Sequence, residues 1–277
     1  MTEIWLGIVL FTCIVLLLVL AILTARSLFV AGGTVEVTIN DGKSLTAAVG
    51  RKLLDVLGEA EIRLPAACGG SGTCGQCRVR VTNGGGTALP TETGRLTRRE
   101  IRRGMRLACQ VKLRDEMSVE VPEDMFGVKQ WACRVRSNTQ IASLIKELVL
   151  DLPKGELIEF RAGGYIQATC PAYRIKYSEI DIDAAFRDDW DRFDLRRLET
   201  GTPSQTTRAY SMANPPEERD AITLNVRAAI PPPDAPDDAL PGVVSSYLFS
   251  RKPGDEVLVS GPYGHFSATN TNAEMVF

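Results

Sequence analysis

The chain opens on an uninterrupted apolar run. No charged side chain occurs from Ile4 to Ala25, and these twenty-two residues would form a helix about 33 Å long at ~1.5 Å per residue, enough to cross a bilayer. Glu3 precedes the run and Arg26 follows it, whereas a cleaved secretory signal has a basic start and a shorter apolar core. Residues 1–26 are therefore predicted to be a transmembrane anchor. The flanking arginine places the N-terminus outside and the remainder in the cytoplasm by the positive-inside tendency.

Past a short linker the pattern changes. "VEVTIN" (35–40) alternates apolar and polar positions and "NDGK" turns it into "LTAAV", which predicts a hairpin. "RKLLDVLGEAEIRLP" brings Leu53, Leu54, Leu57 and Ile62 close to helical spacing until Pro65 stops the helix. "CRVRVTN" returns to a strand. Thr97 stands three residues before Glu100 as a capping box, which predicts a helix over 97–109 that ends at Cys109. From Trp131 short strands dominate: "WACRVRSN", "IKELVLDLP", "LIEFRAGGYIQATCP", "RAYSMAN", "ITLNVRAA" and "DEVLVSGPYG" predict an antiparallel six-stranded β-barrel. Two interruptions remain: residues 178–200, charged and partly helical, and the proline-rich "PPPDAPDDALPG", an exposed loop.

Composition sharpens this reading in two respects. A net charge of −2 over 277 residues gives no broad basic face of the kind nucleic acid requires. Seven cysteines, at 13, 68, 74, 77, 109, 133 and 170, are odd in number and clustered, which suits a bound metal in a reducing compartment better than a disulfide framework. Cys13 lies in the apolar run, where a free thiol is a small apolar side chain.

The cluster centres on "CGGSGTCGQC", residues 68–77. Cys68, Cys74, Cys77 and Cys109 supply four thiolates, the number needed to hold two irons bridged by two sulfides. Their spacing is close to that of plant-type ferredoxins, with one extra residue in the first gap. Gly69, Gly70, Gly72 and Gly75 are expected to take positive φ and turn backbone N–H groups inward. A structural zinc site is the alternative, but zinc ribbons pair two C-x-x-C knuckles and only one is present. A Rieske centre needs two histidines, and the chain has one, His265, read as structural or solvent-facing.

In the barrel, "RAYSMAN" places Arg208 and Tyr210 on one face of a strand, with Ser211 next. An arginine fork suits a pyrophosphate, a tyrosine ring suits an isoalloxazine and a serine suits a ring nitrogen, although such alternation is common in ordinary strands. Further on, "PGVVSSYL" sets glycine and serine before a helix, where Ser245 or Ser246 either joins a phosphate site or is a plain cap.

The order of these parts resembles flavin domains of the ferredoxin-NADP reductase type. With "LPAACGGSGTCGQCRV", "FRAGGYIQ", "RAYSMANPPEE", "LNVR" and "SGPYGHF", the chain over its whole length resembles the F-subunit family of Na⁺-translocating NADH:quinone oxidoreductases. The resemblance implies an α+β multidomain fold: the anchor, a β-grasp plant-type ferredoxin domain (34–122), an FAD-binding barrel (129–270) and the start of an NADH-binding α/β domain (271–277) that is otherwise missing. It implies that Cys68, Cys74, Cys77 and Cys109 hold the [2Fe–2S] cluster. Arg208, Tyr210, Ser211 and Ser245 would bind FAD, with Asn225, Val226 and Arg227 as further contacts. It also implies electron input from NADH to partner subunits of a bacterial inner-membrane complex, contact with lipid, and soluble domains in the cytoplasm. No G-x-G-x-x-G follows a predicted strand, so this stretch of chain is expected not to oxidise NADH alone. Rival readings are an oxygenase reductase, which ordinarily lacks an anchor, and a membrane-tethered ferredoxin that only carries electrons. The arginines between 95 and 106 are either a solvated face or a surface for acidic subunits or anionic lipid.

Overall fold

The structure is a computed structural model and describes residues 2–29, 33–232, 234–236 and 239–264. Helix α1 (Thr2–Phe29) contains the apolar stretch Ile4–Ile22, of mean hydropathy 3.0, none of which is buried against the rest of the chain. By length and composition this helix could cross a bilayer.

The hairpin predicted after the linker is present as β1 (Thr34–Ile39) and β2 (Lys43–Ala48). Helix α2 (Leu53–Glu59) buries Leu53, Val56 and Leu57, and Ile62 packs below it just beyond the helix end. Strand β3 (Arg78–Asn83) follows the cysteine loop. Next come α3 (Pro90–Thr93), α4 (Arg98–Arg102), β4 (Met105–Leu107) and β5 (Met117–Glu120). The sheet order is β2-β1-β5-β3-β4, with β1 parallel to β5 and every other pair antiparallel. Val37, Ile39, Leu107, Leu113 and Val119 meet at its centre, each 0–1% exposed.

The helix expected over 97–109 is corrected to five residues. The capping box forms as read, with Glu100 N–H donating to Thr97 Oγ1 at 3.2 Å and Thr97 N–H to Glu100 Oε2 at 2.7 Å. Gly104, at φ +81, then turns the chain so that β4 pairs with β3. A Cβ there would sit 2.5 Å from the Val81 carbonyl oxygen, so only glycine allows this approach. Cys109 consequently follows a strand.

The second sheet has six antiparallel strands in the order β11 (Thr206–Ser211), β8 (Tyr165–Cys170), β13 (Glu256–Tyr263), β6 (Lys129–Ala142), β7 (Ile145–Asp151) and β12 (Ala221–Arg227). The predicted six strands are all present. Closure is made by the residues after β11: Ala213 N–H donates to Thr223 O at 2.8 Å, and the Asn214 side chain accepts from Thr223 N–H at 3.0 Å. Cys133 and Cys170 are fully buried in this core, and burial pushes the Cys133 thiol up to about 12.

Residues 178–200 are more than a charged interruption. Strands β9 (Tyr173–Lys176) and β10 (Glu199–Thr202) pair as a separate hairpin around short 3-10 turns and α5 (Arg187–Arg192). Trp190 is fully buried between Tyr177 and Phe249, the latter ending α6 (Val243–Phe249), with ring centroids 5.7 and 6.0 Å away. The expectations for His265, for residues 265–270 and for the start of a further domain at 271–277 lie outside the described residues.

Candidate functional site

Residues 68–77 form neither helix nor strand, and all four of the expected glycines take positive φ, from +65 at Gly69 to +85 at Gly72. The loop folds two thiols together: Cys74 Sγ lies 3.3 Å from Cys68 Sγ, both half-buried. The other two, Cys77 and Cys109, are each 1% exposed and share a hydrogen bond, brought together because Ala108 N–H donates to Cys77 O at 2.8 Å.

This pairing has an electrostatic side. Burial works to raise the Cys68 thiol, but hydrogen bonds from the Ser71 hydroxyl and from Cys74 and Thr73 outweigh it and bring the group down to about 5. The bond from Cys77 brings Cys109 down to about 6, while that same bond and burial push Cys77 up. In each pair hydrogen bonding favours ionisation of one member, a donor set partly prepared for metal. Two pairs of cysteines, deprotonated when metal binds, match the demand of two irons, two thiolates per iron.

The loop is held by partners that spacing alone did not reveal. Gln110 Nε2 donates to Cys109 Sγ at 3.4 Å and packs where a Cβ on Gly72 would lie, 2.7 Å away. Gln167, on β8 and 4% exposed, reaches across from the barrel, accepting from Ala66 N–H at 3.1 Å and donating to Leu64 O at 3.3 Å. Tyr165 OH donates to Gln76 Oε1 at 3.2 Å, and its ring stacks on Tyr263 at 5.5 Å. The only signal in the sequence was the alternation of Tyr165 and Gln167 within "FRAGGYIQ".

Between the cysteine loop and the barrel runs an open cleft of about 1390 Å³, lined on one side by Cys74, Gly75 and Gln76 and on the other by Gly164, Ser211 and Tyr263. Of the predicted flavin residues, the structure brings Ser211 to this cleft. Arg208 is exposed: its Nη1 donates to Thr207 O at 2.8 Å, and its guanidinium lies against Gly69 of the cysteine loop. Tyr210 is half-buried against the barrel core, where burial raises its phenol well above the usual range and keeps it neutral. Asn225 and Arg227 are exposed on β12. Val226 between them is fully buried, so its side chain belongs to the core and its main chain alone is available to a ligand. Ser245, 8% exposed, donates to Gly242 O at 3.1 Å and accepts from Ala229 N–H at 3.3 Å at the start of α6. Ser246 is fully buried and shares a hydrogen bond with Tyr177 OH at 2.8 Å, a structural role.

Gly69 carries a testable consequence. A methyl group there would sit 2.1 Å from Arg208 Nη1 and 2.7 Å from the Thr207 carbonyl oxygen, at φ +65. The arginine can swing aside; the carbonyl cannot. Gly69→Ala is expected to lose about 1–2 kcal/mol from left-handed strain alone, read as an earlier denaturation midpoint. Gly58→Ala, a helical position with nothing within 4 Å of its Cβ, should leave stability equal or higher.

Comparison with known proteins places this geometry. The family described as "2Fe-2S iron-sulfur cluster binding domain" matches residues 37–114, and "Oxidoreductase FAD-binding domain" matches residues 196–268. The F subunit of the Na(+)-translocating NADH-quinone reductase of Methylococcus capsulatus is 51% identical over 277 residues, covering 100% of this chain and 68% of that protein. The chain belongs to the family of this F subunit. Its counterpart in Marinomonas sp. is 51% identical over 275 residues, covering 99% of this chain and 67% of that one. The chain thus spans about two thirds of the length of these family members. Among solved structures, the Amycolatopsis cytochrome P450 reductase aligns over 86% of this chain and 60% of its own, at 22% identity and a TM-score of 0.48. Family membership makes the chain an oxidoreductase subunit with a 2Fe-2S domain and an FAD-binding domain. The oxygenase-reductase reading is not favoured, and a carrier with a cluster alone leaves the FAD-binding match unexplained.

Proposed function

We propose that the chain is the electron-input subunit of a membrane-bound, Na⁺-translocating NADH:quinone oxidoreductase, receiving electrons from NADH at FAD and handing them singly through a [2Fe–2S] cluster to partner subunits. The observation that carries this reading is the cleft in which Ser211 of the barrel and Cys74 of the cysteine loop form facing walls. When bound, FAD supplies two-electron hydride chemistry and the cluster supplies one-electron transfer. The chain's own part is to hold both centres and keep them close. Cys68, Cys74, Cys77 and Cys109 present thiolates in two pairs, while Gln167 and Tyr165 tie the cysteine loop to the barrel wall. Arg208, Tyr210, Ser211 and Ser245 bind the flavin in this reading, with Asn225, Val226 main chain and Arg227 as further contacts. Residues 34–122 form the ferredoxin domain and the barrel begins at 129. Helix α1 inserts in the bacterial inner membrane, with the later domains in the cytoplasm, where thiols stay reduced. A single spanning helix supplies no ion path, so sodium movement belongs to partner subunits.

The test is flavin binding by the purified chain. Arg208→Ala should weaken FAD by roughly tenfold to a hundredfold, the loss of about 1.5–3 kcal/mol expected for a hydrogen bond to a charged group. Tyr210→Phe should change occupancy little, and Tyr210→Ala much more, because only the latter removes the ring. Wild-type affinity in both Arg208→Ala and Tyr210→Ala would take β11 out of the flavin site.

A further inference from the structure

Some arginines of this chain are paired with carboxylates and others are not, and the densest run of unpaired ones in the sequence lies between 95 and 103. Arg51, Arg80, Arg136, Arg174 and Arg219 each stand within 4 Å of a carboxylate, and Arg106 is buried in an ion pair with Glu92, which removes it from the basic surface expected over 95–106. Arg95, Arg98, Arg99, Arg102 and Arg103 are all exposed, and among the described residues none of them has a carboxylate within 4 Å. The one acid on α4, Glu100, is taken by the Thr97 N–H and by Arg78. A chain of net charge −2 therefore concentrates five uncompensated positive charges on one five-residue helix and the residues flanking it.

Their place in the fold is specific. Arg95 packs on Gly75, where a Cβ would lie 3.1 Å from Arg95 Cβ, and Gly75 adjoins Cys74. Arg78, at the end of the same loop, donates from Nε to Gly75 O at 2.9 Å and from Nη2 to Arg95 O at 3.1 Å. The basic face is thus continuous with the edge of the cysteine loop. A body seated on it lies next to the cysteine ligands.

We propose that the Arg95–Arg103 face is the docking surface for an acidic protein that takes the electron from the cluster. This rests on the proposed function. Like-signed charge held free of internal partners speeds encounter with a surface of opposite sign, and its position beside Cys74 benefits an electron acceptor. An anionic lipid headgroup matches the charge but accepts no electron, so for lipid the position beside the cysteine loop has no use.

The experiment uses the full chain in the complete complex, reconstituted in phosphatidylcholine vesicles with and without phosphatidylglycerol. The flavin is reduced photochemically, and cluster reoxidation by added quinone is followed by freeze-quench paramagnetic resonance. Arg99→Glu combined with Arg102→Glu and Arg103→Glu should slow quinone-linked reoxidation by about tenfold in both lipid mixtures. The unaltered chain should slow as salt is raised and the variant should not. Reoxidation by dioxygen, which is small, uncharged and needs no docking surface, should be unchanged, as should the cluster signal itself. The corresponding Gln triple variant should fall between the two. An unchanged quinone-linked rate would make the face a solvated one and sink the proposal. A deficit confined to vesicles with phosphatidylglycerol would assign it to lipid and equally overturn it. No quinone-linked reoxidation in the unaltered chain would instead sink the functional reading, and this surface with it.

Discussion

Changing Cys77 or Cys109 to alanine is expected to abolish the [2Fe–2S] paramagnetic resonance signal of the reduced protein while FAD binding survives. Both thiols are 1% exposed and inside the first core, so water has no ready access to complete the ligand set. Among the described residues no other cysteine is at hand, since Cys133 and Cys170 are fully buried in the barrel core and Cys13 lies on α1. Cys68→Ala and Cys74→Ala should have the same outcome, because each iron needs both members of its pair. The flavin should stay because the barrel packs around its own cluster, from Trp131 to Val259. Iron analysis, flavin absorbance and the resonance spectrum check this together. One zinc per chain in the unaltered protein, or no [2Fe–2S] signal on reduction, would overturn the cluster assignment.

The second large effect concerns Glu92, which is fully buried and accepts four hydrogen bonds: from Arg106 Nε at 2.8 Å and Nη2 at 2.7 Å, from Leu107 N–H at 3.0 Å and from Leu89 N–H at 2.8 Å. Arg106, 5% exposed, also donates to the carbonyls of Gly85, Gly86 and Thr87. The pair thereby ties the 84–96 loop to β4, just before Cys109. Glu92→Gln leaves the guanidinium buried without its counter-charge and should cost about 3–5 kcal/mol. Replacing both partners together, Glu92→Leu with Arg106→Met, should recover much of that loss. Denaturation followed through cluster absorbance reads both. The pH dependence has a definite sign. Burial acts to raise the Glu92 pKa, but Arg106 and the Leu89 and Leu107 amides outweigh it and hold the group below the usual carboxylate range. The contribution is therefore complete above the unfolded carboxyl value, about 4.3, and is lost as pH falls through the lower folded value. The wild type should lose this stability in acid, and Glu92→Gln should show less of that acid loss.

Much of this was legible along the chain because it depends on neighbours in sequence. An uncharged run is hydrophobic whatever surrounds it, and the glycines at 69, 70, 72 and 75 permit positive φ by lacking a Cβ. Short runs bounded by turn residues located all six barrel strands. The helix expected over 97–109 failed because apolar and basic residues there suit helix and strand alike, and pairing of β4 with β3 decided the outcome. The β9–β10 hairpin and buried Trp190 were hidden for a similar reason: the apolar residues of 173–202 follow no fixed period and are gathered by contact with α6.

By itself, then, the order of residues determined the apolar helix, the glycine-rich cysteine loop and the number of barrel strands, since each follows from local spacing and side-chain chemistry. Only the tertiary structure decided which thiols pair, which arginine of 95–106 is buried, and that Gln167 grips the backbone at Leu64 and Ala66. Those contacts join residues up to about a hundred positions apart. They exist because two cores, once closed, leave particular polar groups facing one another that must be satisfied away from water.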